Sequence, residues 1–347
     1  MDQTDRIRDP TPTPRPSAIV AAVVLALLLA TTGCGGSTPA ARTDTPEPAV
    51  APPLTATPAG TVVSRPGEPE GLALDPRTGI LAVGVRNPDG VALVDAATGA
   101  ERARIPLDGA PRHLELVGPG GPVLAPAEGA DRLYQLRLPD GKVLADTGVG
   151  RQPHDAAAAQ GSIFVGDELA DLVTVIPPTG PTRTVPAPVQ PGGVAAAADG
   201  SVVVVVGVRG RRIEAYAPDG RSLGTAACGV GPTHVRAGAA GLFYVADTEG
   251  GRVLVFQAGP TGIRQVGSAS TGGGAPYGLA VDPGRNRLYV TLTATNTLRS
   301  YRIDGTRLVA DRSWPTVRQP NDVVVDPASG RVVVAGTADG QLQFVTP

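Results

Sequence analysis

Three histidines are all the imidazole this 347-residue chain carries, and each follows a proline by one or two positions. They stand in Pro111-Arg112-His113, Pro153-His154-Asp155 and Pro232-Thr233-His234. A neutral imidazole binds divalent metal or moves protons near neutral pH, and three that converge supply the protein ligands of an open catalytic metal site. Their spacing contains no local metal motif, so convergence depends on the fold. Without it, each imidazole would hydrogen-bond to backbone near its own proline. Other chemistry is thin. Gly220-Arg221-Ser222-Leu223-Gly224 has the letters of a nucleophile elbow but starts in an Asp219-Gly220 hairpin turn rather than a strand-to-helix turn. Gly272-Gly273-Gly274 lacks the Lys-Ser or Lys-Thr of a phosphate loop. Cys228 reads as a small buried residue of an outer strand.

The elements that must position the histidines are repeats. Seven proline-anchored phrases recur, at Pro69, Pro111, Pro153, Pro191, Pro232, Pro276 and Pro320, separated by 42, 42, 38, 41, 44 and 44 residues. Each anchor opens a short apolar run, a turn such as Asp75-Pro76 or Asp199-Gly200, and a second apolar run such as Val202–Val206 or Leu242–Val245. A polar loop, a third strand and a more polar fourth strand follow. A period near 42 with four strands is the length of a propeller blade. After Pro320 only three strands remain, Asp322–Val325, Arg331–Ala335 and Leu342–Val345, while Thr61–Ser64 stands alone before the first anchor. Three plus one completes a blade. The expectation is an all-β, seven-bladed β-propeller over residues 61–347, closed by its N-terminal strand. Closure removes the open edges that invite association, so a monomer is expected.

In such a ring the two positions after each proline encircle one mouth of the central channel. The first positions are Glu70, Arg112, His154, Gly192, Thr233, Tyr277 and Asn321; the second are Gly71, His113, Asp155, Gly193, His234, Gly278 and Asp322. All three histidines fall in these rings. The expected binding set is Glu70, Arg112, His113, His154, Asp155, His234, Tyr277, Asn321 and Asp322. His113, His154 and His234 are the candidate ligands of a divalent metal, with Asp155 or Asp322 as a further ligand and Asp155 or Glu70 as a base. No other cofactor is indicated. The loops joining second and third strands should lie on the same face, and they are mostly acidic, with Asp89, Glu128, Asp131, Asp167, Glu168, Asp171, Asp247, Glu249 and Asp339 against Arg209, Arg211 and Arg212.

Leu288-Tyr289-Val290-Thr291, in the unit opened by Pro276-Tyr277-Gly278-Leu279, resembles the YVTN repeat. Phe243-Tyr244-Val245-Ala246-Asp247 with Arg252-Val253-Leu254-Val255-Phe256 resembles the NHL repeat. The chain is thus similar to YncE-like seven-bladed propellers. The resemblance implies the fold; its members include scaffolds, ligand binders, lactonases and metal-dependent lyases, and the peptide-amidating lyases among them place metal-binding histidines at the channel.

Ahead of the repeats, Ala18–Ala30 is an apolar run of thirteen, the length of a signal-peptide core and short for a membrane span. Thr31-Thr32-Gly33-Cys34 follows and resembles a bacterial lipobox, which implies a signal peptide over residues 1–33 and lipidation at Cys34. Residues 34–60 are rich in Pro, Thr and Ala, with no aromatic residue, and are expected to be a disordered tether. The chain is therefore expected outside the cytoplasm, held to the membrane by lipid. A net charge of −2 and eleven aromatics give no footprint for nucleic acid, and two cysteines cannot form a disulfide framework. The functional expectation is a membrane-tethered module that binds a protein or small ligand through its channel face. Its rival is a metal-dependent hydrolase or lyase using the channel-mouth histidines.

Overall fold

A computed structural model describes residues 45–347. The expected signal peptide, Cys34 and the first part of the expected tether lie outside the described residues. Within them the chain forms seven four-stranded antiparallel sheets, and the all-β propeller holds in every blade. The first blade runs Glu68–Asp75, Ile80–Arg86, Gly90–Asp95 and Glu101–Pro106 in sequential order from the channel outward. The seventh takes Pro320–Val325, Val332–Gly336 and Gln341–Val345 and is completed by Thr61–Ser64, with Val62 opposite Gln343 and Val63 opposite Leu342.

Each blade is covered on both faces by its neighbours, so the second strands bury nearly every residue rather than alternate. Ser162–Asp167, Val203–Gly207 and Leu242–Asp247 have no exposed position. Outermost strands such as Val143–Gly148 alternate toward solvent. The core lies between sheets: Val204 and Val206 of the fourth blade pack with Phe243 and Val245 of the fifth. Each fully buried Val or Phe is worth about 1.5–3 kcal/mol relative to exposure. β-branched residues that fit a pleated surface suffice, and few aromatics are needed.

Aspartates set the hairpins between first and second strands. The Asp75 carboxylate accepts from the Arg77 and Thr78 amides, both at 3.1 Å, and from the Thr78 hydroxyl at 2.6 Å. Asp326 repeats the device on Ala328 and Ser329. These side chains replace backbone partners that a turn leaves unmade. Among the described residues no helix is long and apolar enough to cross a membrane.

Candidate functional site at the channel mouth

Glycine lets the inner strands approach closely enough for the rings to converge. A Cβ on Gly71 would lie 2.7 Å from the Cα of His113, one on Gly193 3.1 Å from the Cα of His234, and one on Gly278 2.8 Å from the Cα of Asp322. In each case the glycine of one blade receives the second-ring residue of the next. The pattern read as two rings is thus a packing rule. At these three places a small residue faces a functional one because two side chains would not fit.

The three imidazoles meet on the axis. His113 lies 4.1 Å from His234 and 4.9 Å from His154, ring centre to ring centre, and all three are buried. One nitrogen from each falls within 4.8 Å of the others, so the set can hold one ion. Their environments differ. His154 Nδ1 faces Glu128 Oε1 at 2.9 Å and Glu168 Oε2 at 3.3 Å. Burial alone would lower the His154 pKa, but these two carboxylates outweigh it and raise it to about 9. The same pairing overcomes burial at Glu168 and lowers it to about 2. Burial, then the neighbouring imidazoles and arginines, keeps His113 and His234 well below the ordinary range and neutral. His234 Nδ1 sits 3.3 Å from the Tyr277 carbonyl, whereas neither ring nitrogen of His113 has a hydrogen-bond partner. A buried neutral imidazole with two open lone-pair or donor positions is costly unless something binds it.

Around the imidazoles runs an arc of polar contacts crossing five blades. Gln319 donates to Asn321 Oδ1 at 3.1 Å, Asn321 to Glu70 at 3.1 Å, and Arg86 bridges Glu70 at 3.8 Å to Glu128 at 3.2 Å. Glu128 leads to His154, then Glu168, which accepts from Gln152 at 3.1 Å and Gln190 at 2.6 Å. Burial raises the Glu70 pKa despite Arg112 nearby. Arg112 reaches across the axis to the Tyr277 hydroxyl at 3.4 Å; Tyr277, then Glu128, Glu70 and Glu47, hold its guanidinium charged.

Of the expected set, Glu70, Arg112, His113, His154, His234, Tyr277 and Asn321 are brought together here. Asp155 and Asp322 serve differently. Asp155 accepts the amides of Val194 and Ala156, and Asp322 those of Leu72 and Val323, at 2.8–2.9 Å. Each carboxylate pins the next blade's inner strand, one layer below the mouth, opposite Arg236 and Glu115. Burial raises Asp155, and Asp322 to about 6. These bonds engage both oxygens of each carboxylate. Sequence reasoning left Glu128 and Glu168 among a general acidic face and overlooked Gln152, Gln190 and Gln319. The signal for the last three was present: each precedes its proline anchor, as Gln152-Pro153, Gln190-Pro191 and Gln319-Pro320, and each adopts a positive φ of 53–58°. Such backbone is uncommon outside glycine and clusters at functional sites.

Part of the segment expected to be a disordered tether, residues 34–60, is among the described residues. From Thr45 the chain lies along the mouth: Thr45 donates to Gln190 at 3.0 Å, Ala49 N–H to Thr293 Oγ1 at 3.0 Å, and Ala51 N–H to Gln319 Oε1 at 2.8 Å. These bonds offset an ordering cost that composition alone charged in full.

No family model matches the chain, and no curated protein matches it. Solved structures do. Virginiamycin B lyase from Staphylococcus aureus superposes with a TM-score of 0.68 at 13% identity, covering 82% of this chain and 98% of that one. A Kuenenia stuttgartiensis hydrazine synthase chain gives 0.68 at 14%, over 85% and 99%. A chain of the mitotic checkpoint complex gives 0.70 at 15%, over 86% and 96%. At such identities the likeness is one of fold.

Proposed function

We propose that the protein is a membrane-tethered, extracytoplasmic binding module whose ligand engages the proline-side mouth of the channel. It would be a lipoprotein of the YncE-like YVTN/NHL type, held by lipid on Cys34. The observation that carries this reading is the concentration of ionisable groups, with Glu70, His154 and Glu168 buried and Arg112 and Glu128 half-buried, at one mouth. A core gains nothing from burying so many charges, since apolar groups of similar volume pack as well or better. Detergent-solubilised full chain should retain a ligand that Arg112→Met releases and that Arg77→Met, a surface change elsewhere, does not. Cys34→Ser should move the protein from membrane to medium. Retention indifferent to Arg112 would contradict the reading.

A second reading has its own observation. The two unpartnered nitrogens of His113, beside His154 and His234, fit a divalent ion. Glu128 and Glu168 on His154 Nδ1 are the carboxylate supports that metal-bound imidazoles favour. Zinc or manganese so held would polarise a carbonyl or an attacking water in a hydrolase or lyase. A similarly folded lyase from Staphylococcus aureus is catalytically inactive with one histidine replaced by alanine. Purified chain should then carry stoichiometric metal that is lost in the double substitution His113→Ala, His234→Ala. Metal-free protein whose thermal midpoint ignores added zinc, calcium or manganese excludes this chemistry.

A further inference from the structure

The segment Thr45–Pro53 occupies the mouth in the manner of a ligand. Its sequence, Thr-Pro-Glu-Pro-Ala-Val-Ala-Pro-Pro, suits an extended backbone that has little entropy left to lose on binding. The ring grips it mainly through main-chain atoms. Beyond the two amide donations already given, Gln319 Nε2 donates to the Ala49 carbonyl at 2.9 Å and Asn296 Nδ2 to the Pro52 carbonyl at 2.9 Å. Gln319 therefore reads both the donor of Ala51 and the acceptor of Ala49. Side-chain reading comes at one end, where Arg112 Nη2 donates to Glu47 Oε2 at 3.2 Å. Pro46 and Ala51 turn inward and are buried, while Val50 points out, 90% exposed. The space left between this strap and the imidazoles is about 10 Å³, room for one water at most.

Chain closure does not require this. Thr61–Ser64 already seals the ring, and a tether needs no specific seat on the face it leaves. The residues that hold the strap, Gln190, Thr293, Asn296, Gln319 and Arg112, come from four different blades, so the seat belongs to the ring.

The geometry points to the mouth as a receptor for an extended, proline-rich peptide carrying a carboxylate at the Glu47 position, with the chain's own strap as its resident competitor. The inference rests on the mouth reading above and names its ligand class. A tethered competitor acts at an effective concentration of roughly millimolar, so an external peptide must displace it and lengthens the tether as it does so.

The test uses full chain in detergent and a fluorescent synthetic peptide of residues 45–53. In a strap-loosened variant, Glu47→Ala with Ala49→Pro and Ala51→Pro, the strap loses its carboxylate and both amide donors while remaining able to extend. The peptide should bind this variant at least tenfold more tightly than wild type. Binding should fall at least tenfold when the peptide's Glu is replaced by Gln, or when Arg112→Met and Gln319→Ala are added to the variant. An unchanged thermal midpoint confirms that these variants fold. No binding to the loosened variant, or equal binding to it and wild type, overturns the inference. If that happens while Arg112-dependent retention of native ligand persists, the ligand class is wrong and the mouth reading stands. Loss of Arg112 dependence would instead remove the mouth reading itself.

Discussion

The two ends of the channel are built from the same seven inner strands yet are chemically opposite. At the proline end, charged and amide side chains from every blade but one crowd together under a strap of the chain's own backbone. Toward the other end the strands show Ala157, Ala158, Ala195–Ala198, Leu116, Val117 and Val325 to a recess of about 370 Å³. There the polar groups are few: Arg236, with Glu115 at 3.9 Å and Asp155 and Asp322 behind it. The carboxylates of this deeper layer are spent on backbone amides of neighbouring blades and on one guanidinium. Those of the mouth support His154 and the surrounding amides, beside His113, whose two ring nitrogens remain open. A buried polar group that is fully satisfied by the fold is architecture; one left wanting, as His113 is, awaits a partner.

That contrast can be broken by substitution. Arg236→Met leaves three carboxylates without a cation, and removing one partner of a buried ionic set costs about 3–4 kcal/mol. Urea denaturation should show that loss with ligand retention at the mouth unchanged in the remaining folded protein. Glu115 keeps 37% of its side chain exposed in the recess, so water tempers its share. A variant as stable as wild type would mean that the deeper layer is not a structural ion cluster.

His154→Gln probes the other end through pH. In metal-free protein the folded-state pKa of His154, about 9, lies above its unfolded value of about 6.5. Its stabilisation is therefore complete below about pH 6.5 and lost as pH rises through 9, on the order of 3 kcal/mol. Wild type should lose stability across that window and His154→Gln should not. Asp322, raised to about 6 by burial, acts lower, destabilising the fold as pH rises from about 4 to 6. Glu115, raised to about 7 by burial, carries the deeper layer's titration only into the start of the His154 window. Parallel curves for wild type and His154→Gln between pH 6.5 and 9 would remove the charged His154 from the account.

The architecture was legible because it repeats: seven prolines at near-even spacing and an orphan strand define the ring and its seam without any knowledge of contacts. The convergence of the histidines followed from position within the repeat. The roles of Asp155 and Asp322 did not, because stapling depends on which backbone amide of the adjacent blade lies within 3 Å, and spacing along the chain carries no such distance. Glu128 and Glu168 were placed on the correct face but not against His154, since loops differ in length and backbone path. The strap was invisible for a different reason. Composition prices its entropy but says nothing of the glutamines 140 to 270 residues away that repay it. The Gln-Pro phrase was the available clue, and its meaning lies in a left-handed backbone that only coordinates reveal.

Site-specific photo-crosslinking compares the two ends most directly. A photoreactive residue at position 208, which lines the mouth beside His234, and another at position 117, in the opposite recess, would each be irradiated in membranes. The account predicts a discrete adduct from position 208, lost with Arg112→Met, and none from position 117. An adduct from position 117 alone, or one from position 208 that is insensitive to Arg112, would contradict the assignment of binding to the proline-side mouth.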